Sequence, residues 1–136
     1  MTEKITIVVF SGSVDRLLGM SVLTTGAVAL DYEVNIFLML WGSYAFKKDV
    51  FDKNQSISEP IMTVEEFRKC TETANLPPWY EMLKKAKASG KVNVYGCSAA
   101  CKAVSADLKD LEFVDSMVGA GEIIETSAES KATYFI

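Results

Sequence analysis

The chain has 136 residues, of which 49% are hydrophobic and 24% are charged, and its formal net charge is -4. This length and composition predict one globular domain, residues 1–136, and exclude a disordered chain. The negative charge argues against nucleic acid and anionic membranes as partners. The apolar runs are too short or too polar to span a membrane, and the first residues lead directly into a β-like run instead of a signal peptide. We therefore expect a cytoplasmic protein.

The first half of the chain alternates between strand-like and helix-like patterns. Residues 4–10 form a β-branched apolar run typical of a strand buried on both faces. Ser13 is the expected N-cap of a helix over residues 14–30, where apolar side chains recur at helical spacing. A second buried strand follows at residues 33–40, and Trp41-Gly42 ends it. Two strands joined by one helix form a βαβ unit, which predicts parallel strands.

The second half continues the alternation after a polar stretch. We expect a short helix at residues 43–48 and a mobile surface loop at residues 49–60. Thr63 and Glu66 predict a capping box that opens a helix to about residue 74. The remaining predicted elements are a helix at 78–89, a strand at 91–95, a tight turn at 96–98, a helix at 98–105, a helical turn at 107–111, a short strand at 113–117, a helix from the 119–121 turn to 130 and a strand at 132–136.

This alternation predicts a three-layer α/β sandwich with a mainly parallel sheet. In the flavodoxin-like strand order, the first and third strands are neighbours and a ligand crevice lies between their carboxyl ends. If the strands take this order, Ser11-Gly12 faces Gly96-Cys97 across the crevice, with Trp41-Gly42 at the same edge. The predicted pocket residues are Ser11, Gly12, Trp41, Gly42, Gly96 and Ser98.

Cys97 is the candidate catalytic residue, because a cysteine at the start of a helix can have its thiolate stabilised by free N–H groups and the helix dipole. The chain contains no histidine, which excludes Ser-His-Asp and Cys-His catalysis and leaves the helix terminus as the main activator. Gly96 suits the sharp turn, and Ser98 with the following N–H groups could hold the charge of a persulfide. The alternative interpretation makes Cys97 a small buried residue in a strand-to-helix turn.

The other cysteines are weaker candidates. Cys101 lies one helical turn after Cys97, where Cβ atoms stand about 5–6 Å apart, and a disulfide needs about 3.5–4.5 Å. This spacing favours Cys101 as a packing or auxiliary thiol. Cys70 lies on an amphipathic helix and is more typical of filler. Three cysteines without histidine or a C-x-x-C pair argue against a structural metal site.

Few other segments suggest a ligand. Residues 11–14 could hold an anion at a helix N-terminus, but the segment is not a P-loop. No G-x-G-x-x-G is present, so we expect no cofactor. Asp15 and Arg16 are either polar site groups or ordinary first-turn residues. Trp79 and Tyr80 either line the crevice or anchor their helix in the core.

Several segments together resemble the DsrE/DsrF-like family. They are SGSVDR at residues 11–16, TTGAVAL at 24–30 and EVNIFLMLWG at 33–42, whose Leu-Trp-Gly ending is similar to the Phe-Trp-Gly of one branch. YGCSAACK at residues 95–102 resembles the cysteine turn of the family, and VGAG at residues 118–121 resembles its C-terminal element. The resemblance extends over nearly the whole chain.

The resemblance implies a flavodoxin-like fold, a homo-oligomer and sulfur-relay chemistry. In active members, a cysteine at this turn carries a persulfide or thiosulfonate and passes it to a partner protein, and the matching residue is Cys97. Three hypotheses follow. The protein is a sulfur carrier or sulfurtransferase with protein donors and acceptors, or a non-catalytic module that binds a small anion, a nucleotide-like ligand or a protein, or a thiol redox protein that uses Cys97 and Cys101.

Overall fold

The structure is a computed structural model that describes residues 2–136. Within these residues, the strands are β1 (Lys4–Val9), β2 (Glu33–Leu38), β3 (Val92–Cys97), β4 (Ser116–Val118) and β5 (Ala132–Phe135). The helices are α1 (Val14–Ala29), α2 (Trp41–Ala45), α3 (Val64–Thr73), α4 (Trp79–Lys87), α5 (Ser98–Ala103) and α6 (Ala120–Glu129), and a 3-10 turn spans Leu108–Asp110. The predicted alternation of strands and helices is confirmed.

The strands form one parallel sheet in the order β4-β3-β2-β1-β5. The prediction that the first and third strands are neighbours is therefore wrong. Strand β2 pairs with both of them, so that Ile36 lies between Ile7 and Val94 in register. The other side of β1 is occupied by β5, which returns across the sheet after β4. The end of β1 and the end of β3 are consequently separated by the full width of β2.

The layers are confirmed as a sandwich, because alternate strand residues pack into different apolar clusters. On one face, Ile7 and Ile36 pack with Leu17 of α1 and Leu83 of α4. The Oγ of Ser21 in α1 also donates a hydrogen bond of 2.8 Å to the carbonyl of Trp79 at the start of α4. On the other face, a smaller cluster comprises Val8, Phe37, Cys97, Ala100, Val118 and Ile123. Helix α6 covers this second face.

The expected helix starts are observed at α1 and α3. Ser13 occupies the N-cap position of α1 with extended backbone angles, but its side chain does not cap the helix. Its Oγ lies 3.0 Å from the Oγ of Ser11 instead. At α3, the Glu66 amide donates to Thr63 Oγ1 at 3.1 Å and the Thr63 amide donates to Glu66 Oε1 at 3.3 Å. The predicted capping box is therefore confirmed.

Two strand ends differ from prediction, and both lie near the candidate site. Strand β3 continues through Gly96 and Cys97, which pair with β4, so α5 begins directly after the strand without the predicted tight turn. Trp41 and Gly42 do not end β2 but open α2. The chain turns sharply at Leu40, whose φ of 52° is in the left-handed region. The local pattern of apolar residues contains no signal for this reversal of the chain.

The polar loop between α2 and α3, residues 46–63, is held by hydrogen bonds to the turn between β1 and α1, and is called the fastened loop below. The sequence predicted a mobile loop at residues 49–60. The Val14 amide donates to the Ser56 carbonyl at 2.8 Å, and Asn54 Nδ2 donates to the Gly12 carbonyl at 2.6 Å. Ser58 adds hydrogen bonds to Asp15 from its amide and its hydroxyl.

None of the helices within residues 2–136 has the length and apolarity required to cross a bilayer.

Candidate functional site

Cys97 is the last residue of β3 and the N-cap residue of α5. Its exposed fraction is 2%, and it packs in the apolar cluster beneath α6, together with Val118 of β4 and Ile123 of α6. A site at the carboxyl end of a parallel strand is the usual position for chemistry in α/β folds. The thiol of Cys97 thus has the expected place in the sheet but is shielded from solvent.

The predicted helix activation of Cys97 is weaker in the structure than the sequence suggested. Cys97 has φ of -74° and ψ of 119°, and its side chain makes no capping hydrogen bond to α5. Helix α5 has six residues, so its macrodipole is small. Ser98, the first residue of α5, is half-buried. The surroundings of the Cys97 sulfur are thus apolar side chains more than backbone donors.

Cys101, one turn after Cys97 on α5, packs in the larger apolar cluster and not in the cluster that contains Cys97. Its Sγ donates a hydrogen bond of 3.2 Å to Ser43 Oγ of α2. Burial raises the pKa of the Cys101 thiol, the hydrogen bond with Ser43 opposes this rise, and the charge of a Cys97 thiolate would add to it. Cys101 is consequently a neutral, packed thiol, and both cysteines are free.

Residue 96 must be a glycine because Met117 and Cys101 pack closely against it. A Cβ at this position would lie 2.8 Å from Met117 Sδ and 2.9 Å from Cys101 Sγ, closer than ordinary van der Waals contact. A side chain at residue 96 would therefore displace both sulfur atoms. The glycine that the sequence suggested for a sharp turn instead lets β3 pack against α5 and β4.

The predicted pocket residues Ser11, Gly12 and Trp41 do come together, in a separate cavity of about 420 Å³. The remaining walls come from the start of α1, from α2 and from the fastened loop: Ser13, Tyr44, Ala45, Val50, Asn54, Ser56, Ile57 and Ser58. Gly42 lies beside this cavity, where a Cβ would stand 2.3 Å from the Val9 carbonyl oxygen. The cavity lies at the end of β1, so it does not form the expected common crevice with Gly96, Cys97 and Ser98.

Two of the backbone amides that could bind an anion at residues 11–14 already donate hydrogen bonds within the protein. The Ser13 amide donates to Ser11 Oγ at 3.2 Å, and the Val14 amide donates to the Ser56 carbonyl. Asp15 places a carboxylate in the first turn of the same helix. These contacts fill the N-terminus of α1 with groups of the chain, so it is not open to an anion.

Asp15 is a residue whose role the sequence did not resolve. It is bound by the amide and the hydroxyl of Ser58, 43 positions later in the chain. Burial raises the pKa of Asp15, but hydrogen bonds from Ser58 and Ser13 outweigh burial and leave the pKa below its usual value. The serine-rich stretch at residues 56–58 was the available signal, although a pairing over this sequence distance follows no local pattern.

The two aromatic residues after Pro77-Pro78 are core anchors, as one of the two interpretations held. Trp79 is buried with its ring centroid 4.9 Å from that of Phe46, and Tyr80 contacts Phe51 edge-to-face at 5.2 Å. Both also line a second cavity, which lies away from Cys97.

Cys70 is exposed on α3. Among residues 2–136, no three His, Cys, Asp or Glu side chains are grouped as metal ligands.

Comparison with known proteins gives little information from sequence alone. No model of a known protein family matches the chain. The uncharacterized protein YrkE of Bacillus subtilis is 42% identical over 48 residues, which make up 35% of this chain and 30% of YrkE. The match therefore spans about a third of either protein, and it assigns no activity.

Comparison of structures is more informative about the fold. The YchN protein from E. coli is similar over the full length of both chains, with a TM-score of 0.58 and 12% identity. MTH1491 from Methanobacterium thermoautotrophicum, a protein of unknown function, matches 98% of this chain and 99% of its own, with a TM-score of 0.58 and 15% identity. At this identity the likeness concerns the fold alone. The chain therefore has the flavodoxin-like α/β sandwich of these two proteins, with the strand order β4-β3-β2-β1-β5 described above.

Proposed function

We propose that the protein is a sulfur carrier in which Cys97 holds sulfane sulfur, acting as a sulfurtransferase-like member of a sulfur-relay pathway. The observation that supports this proposal is the position of Cys97 at the carboxyl end of β3 in a DsrE-like fold. The sequence resemblance assigns the carrier role to the same cysteine. The donor and the acceptor in this proposal are thiol-containing proteins.

The transfer needs no cofactor or external oxidant. The Cys97 thiolate attacks the outer sulfur of a donor persulfide, a new S–S bond forms, the donor S–S bond breaks, and the donor leaves as a thiolate. Cys97 then carries the persulfide, and an acceptor thiolate removes the outer sulfur by the same exchange. The apolar surroundings of Cys97 would exclude water and competing thiols from the carried sulfur between the two steps.

Transfer requires Cys97 to become accessible, and α6 is the element that can expose it. Ile123 is the only buried residue of α6, and it belongs to the cluster around Cys97. One buried isoleucine stabilises a docked helix by about 1.5–3 kcal/mol. Lifting the first turn of α6 therefore costs little enough free energy to occur as a local opening. A docked donor protein would favour the open form.

Mass spectrometry of the intact protein tests the proposal. In a Cys70→Ser background, which removes the exposed thiol, incubation with glutathione persulfide should add one sulfur atom. The addition should disappear in Cys97→Ala and persist in Cys101→Ala. Ile123→Ala should accelerate the addition several-fold, because it loosens the cover over Cys97.

Two outcomes would contradict the carrier function. One is the absence of sulfur addition to the Cys70→Ser protein, and the other is equal addition after Cys97→Ala. The same spectra report on the redox hypothesis, since a disulfide between Cys97 and Cys101 lowers the mass by two hydrogen atoms. The location of these thiols in different apolar clusters disfavours that disulfide.

The burial of Cys97 favours a second candidate function, a non-catalytic binding module. In this case the cavity beside Trp41, not the thiol, is the functional site. A native protein whose Cys97 resists both glutathione persulfide and iodoacetamide, while the unfolded protein reacts with both, would support the module. Rapid alkylation of native Cys97 would count against it.

We also propose that the chain forms a homo-oligomer. Residues 17–30, which include most of α1, contain no charged side chain. The outer face of α1 exposes Val22 and Leu23, and Leu30, directly after the helix, is 74% exposed. Exposed apolar helix faces of this kind are typical of contacts between subunits.

A further inference from the structure

A second cavity, of about 330 Å³, lies between α3, residues 51–55 of the fastened loop, the start of α1 and the start of α4. Four aromatic residues contribute to its walls: Phe51, Phe67, Trp79 and Tyr80. Its volume is at the lower end of the range for small-molecule sites, about 300–1,000 Å³. Cys97 does not line this cavity, so the cavity is independent of the proposed sulfur chemistry, although Asn54 also lines the cavity beside Trp41.

Trp79, in the wall of this cavity, has an unused hydrogen-bond donor that is shielded from the cavity by surrounding atoms. The side chain is buried, with an exposed fraction of 3%, and its Nε1–H has no acceptor among residues 2–136. A buried donor without an acceptor costs folding free energy, and native proteins rarely retain one without a reason. The backbone carbonyl of Trp79 is satisfied by Ser21, so the indole N–H is the group that remains.

The other polar groups restrict the charge of a ligand. The charged residues in the walls are Asp52, Lys53, Glu65, Arg68 and Glu72, and Arg68 is already paired with Glu65. The acidic side chains outnumber the basic ones, which disfavours a strongly anionic ligand. Aromatic walls favour a flat ring system through edge and face contacts.

We propose that this cavity binds a small, uncharged aromatic molecule whose ring nitrogen or carbonyl accepts a hydrogen bond from Trp79 Nε1. Phe51 and Tyr80, which already meet edge-to-face, form one aromatic wall. Phe67 of α3 forms another. The ligand is thus recognised by one hydrogen bond and by ring packing, which is the common pattern of small-molecule sites.

Helix α3 can move to admit the ligand to the indole. None of its residues is fully buried, although it contributes Val64, Phe67 and Thr71 to the cavity. An element with so little buried surface separates from the rest of the protein at low cost. A ligand that reaches Trp79 Nε1 must displace part of the cavity wall, and α3 is the wall element with the least buried surface.

Protein NMR with two matched probes tests this site. The chain has two tryptophans, so a ¹⁵N-labelled sample gives two indole N–H signals, and Trp41→Phe identifies that of Trp79. Quinoline has an acceptor nitrogen, and naphthalene has the same shape without one. Quinoline should move the Trp79 indole proton downfield in a saturable manner, and naphthalene at equal concentration should not.

The variant Trp79→Phe keeps an aromatic ring and removes the donor. It should weaken quinoline binding by about tenfold, measured from backbone amides around Phe51 and Phe67, and leave naphthalene binding nearly unchanged. The proposal is overturned if the Trp79 signal does not saturate, if only the Trp41 signal moves, or if Trp79→Phe weakens both probes equally. The wild-type titration decides the question even if the variant does not fold.

Discussion

At the scale of single residues, Asp15 joins two segments that are far apart in the sequence. Its carboxylate accepts hydrogen bonds from the amide and the hydroxyl of Ser58. These bonds fix the loop after α2 over the start of α1, together with the bond from Asn54 to the Gly12 carbonyl. The loop in turn forms the outer wall of the cavity beside Trp41.

Replacing Asp15 with asparagine should destabilise the protein by about 1 kcal/mol at neutral pH, after allowance for solvent screening. The folded-state pKa of Asp15 lies below the unfolded value of about 3.8. Its stabilising contribution is therefore complete above that value and is lost as the pH falls further. Urea unfolding of wild type and Asp15→Asn should show a difference in free energy that shrinks below about pH 3.8.

Asp49→Asn provides the control, because Asp49 is an exposed carboxylate on the same loop. It should leave the free energy of unfolding nearly unchanged, both at neutral pH and below about pH 3.8. An Asp15→Asn effect that is independent of pH, or no larger than that of Asp49→Asn, would show that the contacts with Ser58 do not stabilise the folded state.

Cys97 illustrates how much of a site the sequence reveals. Its place between a strand and a helix followed from the local pattern, because the β-branched run before it and the small residues after it are local signals. Its burial did not, since Val8, Phe37 and Ile123 come from three other elements. The unpartnered indole of Trp79 was equally hidden, because it depends on which groups surround the ring.

At the scale of elements, α3 is held mainly by its own interactions. It is amphipathic, yet none of its residues is fully buried. Its N-terminus is closed by the capping box between Thr63 and Glu66. Local stability of such a helix depends strongly on its cap, because tertiary packing contributes little.

Thr63→Ala should therefore loosen α3 without unfolding the domain. Loss of an N-cap costs about 1 kcal/mol, which corresponds to roughly fivefold faster amide hydrogen exchange in residues 64–73. Exchange in β1 and β2 should stay unchanged. Thr73→Ala, at the other end of the helix, is the control and should alter exchange less, so comparable rates in the two variants would contradict the role of the cap.

The elements themselves were predictable, but their arrangement was not. Hydrophobic periodicity and the capping box locate α1, α3 and the buried strands, since these signals lie within each segment. Neighbouring positions in the sheet have no such signal, and every buried strand presents similar apolar side chains to its neighbours. For this reason the insertion of β2 between β1 and β3, and with it the separation of Cys97 from Ser11, appeared only in the structure.

At the scale of the whole molecule, the two outer layers differ in their surfaces. The exposed residues of α6 include Glu122, Glu125 and Glu129, which suit contact with water. On α1, the exposed face combines Val22 and Leu23 with small residues and has no charge after Arg16. In the proposed homo-oligomer, this asymmetry favours α1 over α6 as the face that packs against a second copy of the chain.

A charge on the outer face of α1 should therefore dissociate the oligomer. Leu23 is 41% exposed, so Leu23→Glu adds an exposed glutamate with little disturbance of the core, and the proposed interface would have to bury that charge. Sedimentation velocity at several protein concentrations should show assemblies for wild type and a monomer for the variant. Ile124→Glu is the matched control, since Ile124 is 69% exposed on α6, and it should leave the assembly intact. A monomeric wild type would refute self-association, and dissociation by Ile124→Glu alone would move the interface to α6.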